Sequence, residues 1–176
     1  LNSNNFFISN LSRLEYLDLS VNRLRHIKEL DFKNLNDLTY LNLSLNQIEL
    51  VEEYAFYNLK RLSNLDLSSN LIRSFELNLF TYLFLLKNLY LSNNSNLNYF
   101  DSLLSKSMPN VESLFINDAN LTSVPFILYC RSLKYINLNN NKITYIKSES
   151  FRYHSVSFYK LVYLYLSKNF IEYIDE

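Results

Sequence analysis

The side chains best suited to acid–base, nucleophilic or metal chemistry at neutral pH are scarce in this 176-residue chain: two histidines, His26 and His154, and one cysteine, Cys130. The histidines lie far apart in sequence and in different copies of a periodic pattern, which gives no support for a histidine triad or a metal cluster. Cys130 ends the apolar run Phe126-Ile127-Leu128-Tyr129-Cys130, a setting that predicts a buried structural thiol and not a reactive one. A lone cysteine also excludes an internal disulfide and a cysteine-rich zinc site. The chain contains no glycine. Phosphate-cradling loops, dinucleotide-binding turns and the serine nucleophile elbow all need glycine where the backbone turns sharply or meets a ligand, so none of them is encoded. The expectation is a protein with no catalytic residues, no cofactor and no metal.

The polar group that recurs most regularly is the asparagine amide. Leu14 is followed by Leu17, Leu19, Asn22 and Leu24; Leu38 by Leu41, Leu43, Asn46 and Ile48; Leu62 by Leu65, Leu67, Asn70 and Ile72. The same cadence follows Leu86, Val111, Leu133 and Leu161, giving spacings of 24, 24, 24, 25, 22 and 28 residues between successive starts. Seven copies in phase over one chain define a repeat array that buries its core between neighbouring copies. Asn22, Asn46, Asn70, Asn94, Asn141 and Asn169 form the expected ladder, each amide positioned to bond backbone groups of adjacent turns. In the fifth copy Ala119 holds this position and Asn120 falls one place later. A missing buried amide costs on the order of 1–3 kcal/mol unless Asn120 or water substitutes, so this is the expected weak point of the ladder.

The elements that carry these residues follow from periodicity. Around Leu17 and Leu19, apolar and polar residues alternate, the signature of a strand with one buried face. Seven such strands stacked in parallel at about 4.8 Å span roughly 29 Å. Two outward columns result. One runs Tyr16, Tyr40, Asn64, Asn88, Ser113, Tyr135, Tyr163, and its neighbour runs Asp18, Asn42, Asp66, Tyr90, Phe115, Asn137, Tyr165. On the return path Phe32 and Leu35, Phe56 and Leu59, and Phe80 and Leu83 recur in phase and are expected to fill the core behind the sheet. Phe151 continues the row, and Val124-Pro125 replaces it in the shorter fifth copy.

This pattern, LxxLxLxxNxLxxIxxxxFxxL, resembles the "typical" leucine-rich repeats of Toll-like receptors, Slit and chaoptin-like adhesion proteins, and small leucine-rich proteoglycans. The resemblance covers nearly all of residues 1–176 and implies an α/β-type solenoid: a horseshoe with a parallel concave sheet and an irregular or short-helical convex side. It implies a protein-binding module of a cell-surface receptor or adhesion ectodomain, with a protein ligand, a co-receptor or a second copy of the chain as partner. An intracellular scaffold and the recognition segment of a receptor kinase are the alternative readings. The aromatic cluster Tyr90, Phe115, Tyr135, Tyr163 and Tyr165 is the expected contact site, since such rings offer large contact area at low entropic cost. Phe115 stands out because a phenylalanine facing solvent has no hydroxyl to hydrate.

Seventeen basic and seventeen acidic residues leave zero net charge, and no polycationic stripe for neutralising phosphate is visible, so nucleic acid is not expected as a partner. No apolar run is long enough to span a bilayer, so no membrane contact is expected within the segment. Ile8 and Leu11 sit in the phase of an earlier copy and the last copy stops soon after Ile174, which predicts a piece of a longer array, uncapped at both ends. Glycosylation acceptor patterns begin at Asn10, Asn42, Asn93 and Asn120, but 26 asparagines predict roughly four such patterns by chance. The sixth copy is longer, and its extra residues must lie near Tyr153–Tyr159 as a loop.

Overall fold

The structure, a computed structural model, describes residues 11–125, 127, 129–153, 156–157 and 160–175. Seven three-residue strands, Tyr16–Asp18, Tyr40–Asn42, Asn64–Asp66, Asn88–Tyr90, Ser113–Phe115, Tyr135–Asn137 and Tyr163–Tyr165, form one parallel sheet in chain order. Each central residue pairs with the next: Leu17 with Leu41, Leu41 with Leu65, Leu65 with Leu89, Leu89 with Leu114, Leu114 with Ile136, and Ile136 with Leu164. The register is therefore the sequence period translated into space. A one-residue slip would turn every inward leucine to solvent. The middle leucines are fully buried, while Leu164 is 40% exposed.

The ladder asparagines behave as miniature strand partners. Asn46 Nδ2 donates to the carbonyls of Leu19, Leu43 and Ser44, and its Oδ1 accepts the Leu24 amide. Asn70, Asn94, Asn141 and Asn169 repeat the scheme toward the preceding copy, with Oδ1 accepting the amides of Ile48, Ile72, Leu121 and Ile143. At Ala119 the chain does not use Asn120 as a replacement, because the Asn120 amide donates to the Ser95 carbonyl instead. The extra residue of the fourth copy supplies the missing acceptor. It lets Leu97 donate its N–H to the Asn94 carbonyl at 2.9 Å, while Asn94 Nδ2 covers the Leu91 carbonyl at 2.9 Å. Insertion and missing amide therefore offset each other, and the expected weak point is closed.

The residue before each ladder position is left-handed. Val21, Leu45, Ser69, Asn93, Asp118, Asn140 and Lys168 have φ between 53° and 58°. Glycine is the usual choice for this conformation, yet none is present. Instead the amides of Val21, Leu45, Ser69, Asn93, Asp118 and Asn140 each donate to a carbonyl of the following copy, those of Ser44, Ser68, Ser92, Asn117, Asn139 and Ser167.

Behind the sheet, Phe32, Phe56 and Phe80 are buried, with the first two rings 6.0 Å apart. The fourth copy breaks the row by placing buried Ser105 in phase with Phe80. Phe75 and Phe100, larger than the Ile27 and Val51 of the same column, fill the space, with rings 6.3 Å apart. Cys130 Sγ lies 4.0 Å from the Ser105 carbonyl and is wholly buried. The return side is irregular, with 3-10 turns at Ser102–Ser107 and Ser148–Phe151. Minor parallel pairs join His26–Ile27 to Leu50–Val51 and Tyr145–Ile146 to Tyr173–Ile174. The extra length of the sixth copy includes a small antiparallel pair, Arg152–Tyr153 with Val156–Ser157. His154 lies outside the described residues, as do Ser155, Phe158, Tyr159 and Asn10.

Candidate binding face

The strand alternation places both outward columns on the concave side, and their composition divides the face. In the second column Asp18, Asn42, Asp66 and Asn137 each turn Oδ1 back onto the amide two residues later, at 2.8–3.0 Å. These turns end the strands. Tyr90, Phe115 and Tyr165 cannot make them, so their rings are left to project and to meet one another.

The structure brings all five expected contact residues together. Tyr90 stacks on Phe115 at 4.7 Å with planes 11° apart, and Phe115 meets Tyr135 at 4.9 Å. Tyr135 in turn contacts Tyr163 at 5.9 Å and Tyr165 at 5.2 Å. The result is one ribbon of rings crossing four strands. Phe115 is half-buried between its neighbours and not an exposed ring, because upright aromatics at the strand spacing cover each other's faces. Ring edges and phenol hydroxyls are what this ribbon presents. Burial pushes the Tyr90 phenol above its ordinary pKa, with the nearby Asp66 carboxylate adding to the shift. Tyr135 is raised too, first by burial and then by Tyr165. Both hydroxyls are protonated donors at neutral pH.

Sequence reasoning did not group Tyr16 and Tyr40 with the site, although they stack at 4.4 Å and 5°. The signal was their equal phase in successive copies. Between this stack and the ribbon lies a polar gap floored by Asn64, Asp66 and Asn88, with Asn88 Nδ2 donating to Asn64 Oδ1 at 2.7 Å. Along the strand starts, Glu112 bridges Lys134 at 2.6 Å and Lys87 at 3.7 Å, and the Lys134 hydrogen bond holds its carboxyl below the usual range. The glycosylation positions differ in setting: Asn42 is half-buried on the concave face, Asn93 is exposed, and Asn120 is engaged with Ser95.

The opposite flank has its own apolar area, which the sequence did not single out. Leu77, Phe84, Leu103 and Pro109 line an open depression of about 530 Å³. Phe84 also meets Tyr82, which contacts Tyr57 at 4.5 Å. Among the described residues no group of three or more His, Cys, Asp or Glu is placed to hold a metal ion. His26 is an exposed strand residue. Burial pushes the Cys130 thiol up to about 12, so it is no nucleophile at neutral pH. No helix among the described residues is long and apolar enough to cross a membrane.

Comparison with known proteins agrees with this geometry. No curated protein sequence matches the chain. Among solved structures, a TLR13–ssRNA13 complex is similar over 93% of this chain and 22% of that one, with 26% identity and a TM-score of 0.79. The Drosophila Toll–Spatzle complex, described as a molecular hub in development and innate immunity, matches 96% of this chain and 28% of that one. Its 21% identity and TM-score of 0.53 show the shared fold alone. The chain thus spans less than a third of either relative. A leucine rich repeat family model matches residues 3–48 and 38–97, more than half of the chain, and a second such model matches residues 132–153. With its in-register strands and asparagine ladder, the chain belongs to the leucine-rich-repeat family.

Proposed function

We propose that this chain is a protein-binding module of a receptor or adhesion protein facing the extracellular or endosomal space, and that its concave sheet is the recognition surface. The observation that carries the reading is the continuous ribbon from Tyr90 through Phe115 and Tyr135 to Tyr163 and Tyr165. Tyr90, Phe115 and Tyr135 are half-buried and Tyr163 and Tyr165 exposed, and rigid aromatics of this kind concentrate binding energy in protein interfaces. The likeness to TLR13 supports a receptor setting. A noncatalytic role fits the buried thiol and the family.

The RNA of the TLR13 complex belongs to that protein. On this chain the two outward columns carry Asp18 and Asp66 and no lysine or arginine, so they do not neutralise a phosphate backbone. A protein partner suits this face better. The test is a binding screen of the chain against a panel of secreted proteins and receptor ectodomains, followed by the double variant Tyr90→Ser/Phe115→Ser. At least tenfold weaker binding with an unchanged melting curve is expected. Unchanged affinity refutes the concave-face reading.

A further inference from the structure

Between the two aromatic stacks lies a gap with a polar floor. Asp66 pairs in register with Tyr90, one strand away in the same column. Because the far side of Tyr90 is occupied by Phe115 at 11° between planes, its other ring face looks back over Asp66. On the opposite side Tyr40 pairs in register with Asn64 while its far face is covered by Tyr16. Tyr90 lies in the neighbouring column, so Tyr40 and Tyr90 face each other diagonally, two strand spacings across and two residues along the strands, about 12 Å between their Cα positions. A stacked planar layer takes about 3.5–4.0 Å, so one such group fits against either ring with water filling the rest.

The floor of the slot is acidic and underused. Asp66 Oδ1 accepts the Ser68 amide at 2.8 Å and the Ser68 hydroxyl at 2.6 Å. Its Oδ2 has no hydrogen bond or ion pair among the described residues, whose ion pairs join Arg61 to Asp37 and Lys87 and Lys134 to Glu112. The carboxylate sits near both rings: it adds to the upward shift of the Tyr90 and Tyr40 phenols, after burial in the first case and after burial and Tyr16 in the second.

We infer that this slot receives an arginine side chain from a protein partner, its guanidinium stacked on the open face of Tyr90 and hydrogen-bonded to Asp66 Oδ2. The inference rests on the concave-face reading and names the partner chemistry that face selects. A guanidinium is planar, cationic, weakly hydrated and a forked donor, so it meets an aromatic face and a carboxylate at once. An ammonium is compact and strongly hydrated and gains less from a ring wall. A phosphate-bearing ligand meets the wrong sign of charge.

The probe is N-acetyl-arginine N-methylamide, titrated into the chain carrying 13C-labelled tyrosine rings and followed by NMR. Saturable shifts confined to Tyr40 and Tyr90 are expected, at least fivefold weaker in Asp66→Asn and absent with the neutral citrulline analogue. Asp66→Asn keeps the fold, because Asn42 and Asn137 occupy the same column and accept the corresponding amides at 3.0 Å. Equal binding by the variant, by the citrulline analogue or by the lysine analogue overturns the inference. If a partner found in the screen requires Tyr90 and Phe115 but ignores Asp66→Asn, the arginine slot fails alone. If the partner ignores all three positions, the concave-face reading fails with it.

Discussion

Replacing Asn70 with alanine removes four hydrogen bonds, but their consequences are unequal. The carbonyls of Leu43 and Leu67 keep a second donor, from Asn46 and Asn94, and the Ser68 carbonyl keeps the Leu45 amide. Ile48 N–H, bonded to Asn70 Oδ1 at 2.9 Å, is left with no acceptor in a fully buried setting. One orphaned amide costs about 1–3 kcal/mol, and the weakened carbonyls bring the total to about 2–4 kcal/mol. For a chain of this size that lowers the melting temperature by roughly 4–16 °C. Urea unfolding at constant slope measures the loss, and hydrogen exchange at Ile48 locates it. Asn22 is the internal control. It is exposed and, among the described residues, donates to the Leu19 and Ser20 carbonyls alone, so Asn22→Ala costs about 1 kcal/mol or less. Equal losses for the two variants would refute the ladder argument.

Two further outcomes are expected. Cys130 titrates near 12 when folded against 9.0 for the free thiol, so the folded state holds the proton more tightly; stability is complete below about pH 9 and falls as pH rises toward 12. Urea melts across that range should show this loss and Cys130→Ala should flatten it; an identical pH slope in the variant refutes the assignment. Leu45 is 56% exposed with φ of 53°, and asparagine tolerates that conformation better. Leu45→Asn should therefore raise stability by about 0.5–1 kcal/mol, and a lowered urea midpoint would count against strain at this position.

Much of the molecule was legible because strand phase and repeat phase are locked together. Leu17, Leu41 and Leu65 specify one face and Tyr16, Tyr40 and Asn64 the other, so the alternation alone defines the concave columns. The ring ribbon was legible as a cluster, but not as a stack of mutually covered faces, since ring tilt depends on both neighbours of Phe115. The compensation at Ala119 was hidden because it joins an insertion near Asn96 to an absence more than twenty residues later. The second-column aspartates and asparagines read as outward-facing residues, but that Asp18, Asn42 and Asn137 spend a side-chain oxygen on ending their strands was not legible. Ser105 in the phenylalanine row had no local signal, because the rings that fill its space, Phe75 and Phe100, belong to another column.

The left-handed residues tie geometry to array length. Val21 and Leu45 each sit in a conformation their side chains disfavour, and each is held by a backbone hydrogen bond to the following copy. Each turn is thereby fastened to the next, so pitch is shared along the array like the thread of a screw, and Lys168 of the last copy carries the same conformation with φ of 56°. The spacing of rings on the concave face follows from that pitch and not from the rings themselves. A partner therefore meets a ruler with fixed graduations, and its own contact points must match the interval.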